Sequence, residues 1–114
     1  MITQDQLKDV LERTDKLRHY LKIDEKKIEF EEEDLRTQAP DFWEDQKRAE
    51  AQMKKVKAIK KWIDGYNDVR AAADELQLAF DFYKEEMVTE EEVDADYQRA
   101  ISLIEDLELK NMLR

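Results

Sequence analysis

The sequence predicts an all-α protein, an antiparallel helical bundle of about four helices that is built on a long helical hairpin with coiled-coil-like packing. Charged residues make up 44% of the 114 residues and apolar residues 41%, a composition typical of long helices. One glycine and one proline leave few points at which a helix must break. No alternating run of β-branched residues indicates a strand.

The composition also limits the classes of partner and site. The net charge of −10 argues against DNA or an anionic membrane as a partner of the whole surface, although it allows a local basic patch. Without cysteine there is no disulfide or cysteine-ligated zinc site, and a reducing cytoplasm suits the chain. The opening MITQDQLKDV lacks the apolar core of a signal peptide, and no apolar run approaches the ~20 residues of a membrane span. We therefore expect a soluble cytoplasmic protein.

The first forty residues predict two helices. Thr3 and Gln6 have the spacing of a capping box, and apolar residues at helical spacing follow as far as Leu21. Asp24 is placed to cap a second helix. The alternative is one unbroken helix over about residues 4–38, which would put Asp24 on the apolar seam.

The second helix has a weaker apolar pattern than the first. Ile23 and Ile28 are spaced as a hydrophobic staple around its start. Ile28 and Leu35 share one face, which predicts that this face is buried. Phe30 lies off that face, where exposure is expected.

The stretch QAPDFWEDQKRAE (residues 38–50) contains the only proline, Pro40, which ends the second helix. Asp41 and Glu44 have capping-box spacing, so the next helix is expected to begin here. Phe42 and Trp43 would lie in its first turn. Large aromatics at such a corner predict a structural role, in which they plug the end of the bundle where three elements meet.

A third helix, over about residues 45–86, is the longest and would extend roughly 60 Å. Its apolar stripe drifts around the helix as a seven-residue repeat does, which favours a left-handed supercoil. Gly65, near the middle, is a candidate bend. The stripe consists of Ala49, Met53, Val56, Ile59, Ile63, Tyr66, Val69, Ala73, Leu76, Phe80, Tyr83 and Met87.

The last helix is predicted to fold back antiparallel on the third after a short turn. Thr89 and Glu92 form a capping-type pair, with Val88 and Val93 as the staple. The inner stripe is predicted to contain Val93, Tyr97, Ala100, Ile101, Ile104 and Leu107. Beyond it Leu109, Met112 and Leu113 point in several directions, and no stop signal precedes Arg114. This end is expected to be a truncation point or to meet a partner.

Catalytic and metal-site patterns are weak. Ser102 and His19 are the only serine and histidine, and a serine on a helix lacks the strained turn that exposes a nucleophile. One histidine cannot supply the Glu-x-x-His motifs of a di-iron bundle. The acids form runs rather than converging pairs, as in TEEEVDAD (residues 89–96). We expect no catalytic residue, no metal ligand and no cofactor.

The charge pattern is more informative. Residues 47–61 contain seven lysines or arginines and one glutamate, whereas residues 85–96 contain seven acids and no base. Four lysines fall within about 80° of one another, opposite the apolar stripe: Lys47, Lys54, Lys57 and Lys61. They are the candidate partner-facing residues, for RNA or an acidic protein; the alternative is a solvated helix back. Trp62 and Phe82 lie off the stripe and are expected to be covered by the first two helices; the alternative is that they are exposed anchors for a partner.

The stretch PDFW (Pro40 to Trp43), followed by an acidic turn and KRA, resembles a stretch near the N-terminus of members of the bacterial peptide chain release factor 2 family. RTDKLRHYLKIDEKK (residues 13–27) resembles the same family's opening helix, and LIEDLELKNMLR (residues 103–114) the end of its first domain. The resemblance covers essentially the whole chain, although many members would have proline where Gln46 stands. It implies that residues 1–114 form a single N-terminal helical domain.

The resemblance implies translation termination at UGA or UAA codons. In the family, a Ser-Pro-Phe-type tripeptide reads the codon and Gly-Gly-Gln promotes peptidyl-tRNA hydrolysis. Neither motif is present, because the only glycine, Gly65, precedes Tyr66 and Pro40 precedes Asp41. The implied partners are the ribosome at its large-subunit stalk base, the remaining domains of the release factor and the GTPase release factor. A free-standing coiled-coil adaptor or homodimer is the alternative, and an enzyme is not expected.

Overall fold

The computed structural model describes residues 1–114 and confirms the predicted all-α bundle. Its elements are α1 (Gln4–Tyr20), α2 (Ile23–Arg36), the short 3₁₀ helix η1 (Phe42–Glu44), α3 (Gln46–Lys84) and α4 (Glu90–Leu113). The chain divides into two compact units. We call Met1–Leu21 with Tyr66–Arg114 the terminal unit, and Lys22–Gly65 the middle unit. The single-domain description of residues 1–114 stays a prediction.

The terminal unit contains the predicted helical hairpin. Arg99 of α4 forms an ion pair at 3.7 Å with Glu75 of α3. These residues are nearly equidistant in sequence from the turn between the two helices, so α4 runs antiparallel to the second half of α3. The antiparallel hairpin of the prediction is therefore confirmed.

The third member of the terminal unit is α1, which runs parallel to α4. The backbone N–H of Ile2 donates to Asp94 at 3.0 Å, and Arg13 donates to Glu108 at 2.6 Å. The two acceptors follow each other along α4 in the same order as the two donors along the N-terminal segment. The helices α1 and α4 are therefore parallel. The helix α1 is consequently antiparallel to the second half of α3.

The capping boxes predicted at the starts of the first and last helices are both confirmed. The N–H of Gln6 donates to Thr3 Oγ1 at 3.1 Å, and the N–H of Thr3 donates to Gln6 Oε1 at 2.8 Å. Thr89 and Glu92 repeat this exchange at 3.2 and 3.0 Å. These bonds satisfy N–H groups that the first turn of a helix leaves without backbone partners.

The turn between α3 and α4 ends α3 with a left-handed residue. Glu86 has φ of 59°, and its N–H donates to the carbonyl of Tyr83 at 2.9 Å. The N–H of Met87 donates to the carbonyl of Phe82, also at 2.9 Å. This pair of bonds is the Schellman motif, which usually places glycine at the left-handed position.

The core of the terminal unit agrees with most of the predicted stripes. Tyr83, Tyr97 and Ile101 are half-buried. Met87 is exposed, which contradicts its predicted place in the stripe, because it belongs to the turn rather than to α3. Phe82 is also exposed rather than covered. The buried residues include Leu7, Val10, Thr14, Leu17, Tyr66, Val69, Ala73, Leu76, Phe80, Val93, Ala100, Ile104 and Leu107.

The break between α1 and α2 is confirmed, but it is made differently than predicted. Lys22 has φ of 51° and forms the left-handed turn from which α2 begins at Ile23. Asp24 therefore lies in the first turn of α2 and is not its cap, because the backbone reverses two residues earlier. Ile28 is 60% exposed, so the predicted staple is wrong as well.

The long helix α3 continues through Gly65 without interruption. It begins at Gln46, after Asp45 rather than after Asp41. Asp45 Oδ1 accepts from the N–H of Arg48 at 3.2 Å, which is the bond of a helix cap. The predicted cap at Asp41 is wrong, since its side chain makes no such bond.

Candidate interaction surface

The first half of α3 separates an apolar face from a basic face. Ala49, Val56, Ile59 and Ile63 are buried and Met53 is half-buried, which confirms this part of the predicted stripe. Each residue of an α-helix advances by about 100°. The four candidate lysines therefore lie on the opposite side from these apolar residues.

We define the lysine stripe as Lys47, Lys54, Lys57 and Lys61, and all four are exposed. The stripe extends about 21 Å along α3, at 1.5 Å per residue. None of the four ammonium groups forms an ion pair or a side-chain hydrogen bond within the chain. The role predicted for them as partner-facing residues stays a prediction.

Other lysines of the same basic segment do have acidic partners. Lys55 lies 3.2 Å from Glu33, and Lys60 lies 2.6 Å from Asp64. These two ion pairs remove charge from the flanks of the helix. The lysine stripe is thus a row of basic side chains that the protein does not neutralise by direct contact.

Glu33 of α2 is a buried acid that the sequence pattern did not reveal. Only 8% of it is exposed. Gln52 of α3 donates to its carboxylate and to its backbone carbonyl, both at 2.8 Å. Lys55 and the more distant Arg36, at 3.8 Å, contribute positive charge. The hydrogen bond from Gln52, with smaller contributions from these cations, lowers the pKa of Glu33 below its usual value, against the opposing effect of burial.

The inward face of α2 differs from the predicted one. Ile28 and Leu35 are 60% and 67% exposed, whereas Ile23 and Glu33 are buried and Phe30 is half-buried. The prediction assigned the face from the aliphatic residues alone. It failed because Glu33, whose carboxylate is paired with Gln52 and Lys55, occupies an inward position. Hydrophobicity alone predicts isoleucine or leucine at such a position.

The corner of Pro40, Asp41, Phe42 and Trp43 leads into a 3₁₀ turn rather than the first turn of α3. Phe42 is half-buried, and its ring meets that of Trp43 edge to face, at 5.1 Å and 82°. Trp43 is 63% exposed. The prediction that both rings plug the end of a bundle is therefore wrong for Trp43.

An open depression lies beside this corner. Phe42, Ala39 and Ala49 provide its apolar lining, while Arg36 and Arg48 line it together with several acids. Arg48 belongs to the basic segment 47–61 but was not among the candidate partner-facing residues. Because cations and acids are mixed there, the depression has no single charge preference.

The remaining chemistry-bearing residues stay apart. Ser102 and His19 are both exposed, and no hydrogen bond joins them. No group of three or more His, Asp or Glu side chains is arranged to hold a metal ion. Trp62, the other aromatic singled out in the sequence, is half-buried. Among the helices, none has the length and apolar character needed to cross a membrane.

Comparison with known proteins finds a likeness over nearly the whole chain. No protein-family model matches the chain. The chain is 30% identical over 106 residues to a peptide chain release factor 2 from Aeromonas hydrophila. The aligned region covers 93% of this chain but only 28% of that protein. The chain is therefore similar to one part of a translation termination factor.

Proposed function

We propose that this chain is the non-catalytic N-terminal helical domain of a class I peptide chain release factor, acting in translation termination at UGA and UAA codons. The observation that carries the proposal is the 30% identity over nearly the whole chain to a peptide chain release factor 2. The PDFW corner and the opening helix support it, because they resemble sequences near the N-terminus of that family. The all-helical fold agrees with the helical domain that this resemblance implies. The activity of the longer relative is proposed for the complete factor and not for this chain.

In this proposal the domain positions a catalyst that it does not contain. The chain has one glycine, so it cannot form Gly-Gly-Gln, and its one proline is followed by Asp41. The domain would hold the factor on the ribosome near the stalk base, next to the factor's other domains and within reach of the GTPase release factor. The lysine stripe is the proposed ribosome-facing surface, because its charges have no partner within the chain.

Two measurements on the purified chain test this proposal. Co-sedimentation with bacterial ribosomes is expected to pellet a salt-sensitive fraction of the chain. A peptide-release assay on ribosomes with UGA in the decoding site is expected to give no release by the chain alone. Failure to bind ribosomes at low salt, or release of peptide by the chain itself, would contradict the proposal.

A coiled-coil adaptor or homodimer is the second candidate. It is favoured by the exposed apolar end of α4, where Leu109, Met112 and Leu113 are 53%, 80% and 77% exposed. Self-association would cover these side chains. Multi-angle light scattering tests the homodimer, since the release-factor proposal expects a monomer and the homodimer requires a doubled mass.

A further inference from the structure

We infer that the lysine stripe binds the phosphate backbone of RNA without reading its bases. The inference rests on the proposed function, and it specifies the partner of the same surface. The chemistry it requires is a row of cations that are exposed and unpaired. The stripe of Lys47, Lys54, Lys57 and Lys61 has both properties, because all four are exposed and none forms an ion pair.

The absence of internal ion pairs makes these lysines available to a polyanion. A phosphate that approached Lys55 or Lys60 would have to compete with Glu33 or Asp64, at 3.2 and 2.6 Å. A phosphate that approaches the stripe meets one exposed acid, Glu50, whose carboxylate accepts from Gln46 at 3.4 Å and forms no ion pair with a stripe lysine. Binding then gains from the counterions that the nucleic acid releases when its phosphates are neutralised.

The side chains around the stripe argue against an acidic protein as the partner. Cores of protein interfaces are enriched in aromatic residues, methionine and arginine, and depleted in lysine. Between the lysines the exposed residues on this side of α3 are Glu50, Ala51 and Ala58, which offer no large apolar anchor. A surface of point charges without anchors suits a phosphate backbone better than a protein.

The distribution of charge makes this binding compatible with the net charge of −10. The terminal unit carries 9 basic and 18 acidic side chains, whereas the middle unit carries 11 and 12. Most of the excess negative charge is therefore outside the middle unit. Within the middle unit, the segment 47–61 holds seven of the basic side chains and only one acid, so the charge next to the stripe is mainly positive.

The arrangement of the stripe also indicates how the RNA is contacted. Lys47, Lys54 and Lys61 recur every seven residues, about 10 Å apart along the helix. Long flexible lysines in such a row can each reach a phosphate, and an ammonium group lacks the paired donors that recognise a base edge. Four contacts predict that the logarithm of affinity falls with the logarithm of salt concentration with a slope of about −3 to −4.

Fluorescence anisotropy of a fluorescein-labelled RNA stem-loop of mixed sequence, titrated with the 114-residue chain, tests the inference. Affinity is expected to fall about 60- to 250-fold between about 50 and about 200 mM salt. A stem-loop with a scrambled sequence is expected to bind equally well. Polyglutamate, as the acidic-protein arm, is expected not to compete at equal charge concentration.

The decisive comparison uses two variants of equal net charge. The first replaces the four stripe lysines with glutamine and is expected to lose about 3 from the salt slope. The second replaces four lysines elsewhere, Lys8, Lys16, Lys27 and Lys110, and is expected to keep most of the wild-type affinity and slope. Circular dichroism verifies that both variants are folded. Equal losses in the two variants, no RNA binding by the wild type, or tighter binding of polyglutamate would overturn the inference.

The same variants separate this inference from the proposed function. If the stripe variant pellets with ribosomes as well as the wild type does, the inference fails and the stripe is not the ribosome-facing surface, while the proposal that the chain is a release-factor domain stands. If the wild type binds the RNA stem-loop through the stripe but not the ribosome, the inference stands and the proposed function fails.

Discussion

Arg13 of α1 and Glu108 of α4 form two parallel hydrogen bonds, although they are 95 residues apart in sequence. The Nε of Arg13 donates to Oε2 at 3.1 Å, and its Nη2 donates to Oε1 at 2.6 Å. The carboxylate of Asp9 also lies 3.4 Å from the same guanidinium. This two-point contact, half-buried on the arginine side, fixes the parallel alignment of α1 on α4.

Replacing Arg13 with methionine is therefore expected to destabilise the protein. Methionine keeps much of the aliphatic packing but loses both hydrogen bonds, so a decrease of about 1 kcal/mol in the free energy of unfolding is expected. Urea denaturation followed by circular dichroism measures it. Lys110→Met, which removes only an exposed ion pair with Asp106 at 3.1 Å, should cost no more than about 0.5 kcal/mol. Equal effects of the two substitutions would show that the Arg13 contact has no special weight.

The start of α3 gives a second prediction. The sequence pattern placed the helix cap at Asp41, whereas the capping bond is made by Asp45. Asp45→Ala should lower the free energy of unfolding by about 1 kcal/mol, since it removes the bond to the N–H of Arg48. Asp41→Ala removes no capping bond and should change stability by less than about 0.5 kcal/mol. Thermal or urea unfolding of the pair distinguishes them. The reverse order of effects would place the cap where the sequence pattern placed it.

That pair of residues also shows what local patterns could and could not predict. The boxes of Thr3 with Gln6 and Thr89 with Glu92 were predicted because each involves four consecutive residues and a helix that starts in the usual way. Asp41 has the same spacing to Glu44, yet the chain forms a 3₁₀ turn there, and α3 starts four residues later. Spacing alone does not distinguish a helix start from a 3₁₀ turn.

The turn after α3 gives a third prediction. Glu86→Gly is expected to stabilise the protein by about 0.5 to 1 kcal/mol. It relieves the roughly 1–2 kcal/mol that a left-handed conformation costs a residue with a Cβ atom, and glycine's larger loss of backbone entropy on folding offsets part of this gain. The neighbouring substitution Glu85→Gly is the control, since Glu85 does not have positive φ. There, glycine should destabilise by a few tenths of a kcal/mol or more. Calorimetry on both variants checks the sign, and a Glu86→Gly protein less stable than the wild type would contradict the expected effect.

The buried carboxylate of Glu33 gives a fourth prediction, on pH. Because the pKa of Glu33 is lowered in the folded state, its contribution to stability is present above the ordinary glutamate value of 4.5 and is lost as the pH falls through the lowered value. Glu33→Gln removes this titration. The stability difference between wild type and variant should therefore be largest near neutral pH and shrink below pH 4.5.

Urea denaturation at neutral pH and at several acidic pH values measures this difference. Glu31→Gln, at an exposed position of the same helix, is the matched control and should show a much smaller difference at neutral pH. A Glu33→Gln protein whose stability runs parallel to that of the wild type over the whole range would contradict the prediction.

The lysine face of α3 and the inward face of α2, both in the middle unit, also show what could and could not be predicted from the sequence. The orientation of the lysine stripe followed from helical geometry, because α3 is regular over this segment and its buried residues are aliphatic. The face of α2 did not follow, because Glu33 is inward and Ile28 and Leu35 are outward. The contact that makes this possible, with Gln52 and Lys55, joins residues that no local pattern relates.

An exchange experiment tests the central claim most directly. The segment of the Aeromonas hydrophila release factor that aligns with this chain is replaced by residues 1–114, and peptide release is measured on ribosomes with UGA in the decoding site. The proposal predicts that the chimaera releases peptide much faster than the same factor with the segment deleted. A correctly folded chimaera no more active than the deletion would contradict the account, because this chain could then not serve as the positioning domain of a release factor.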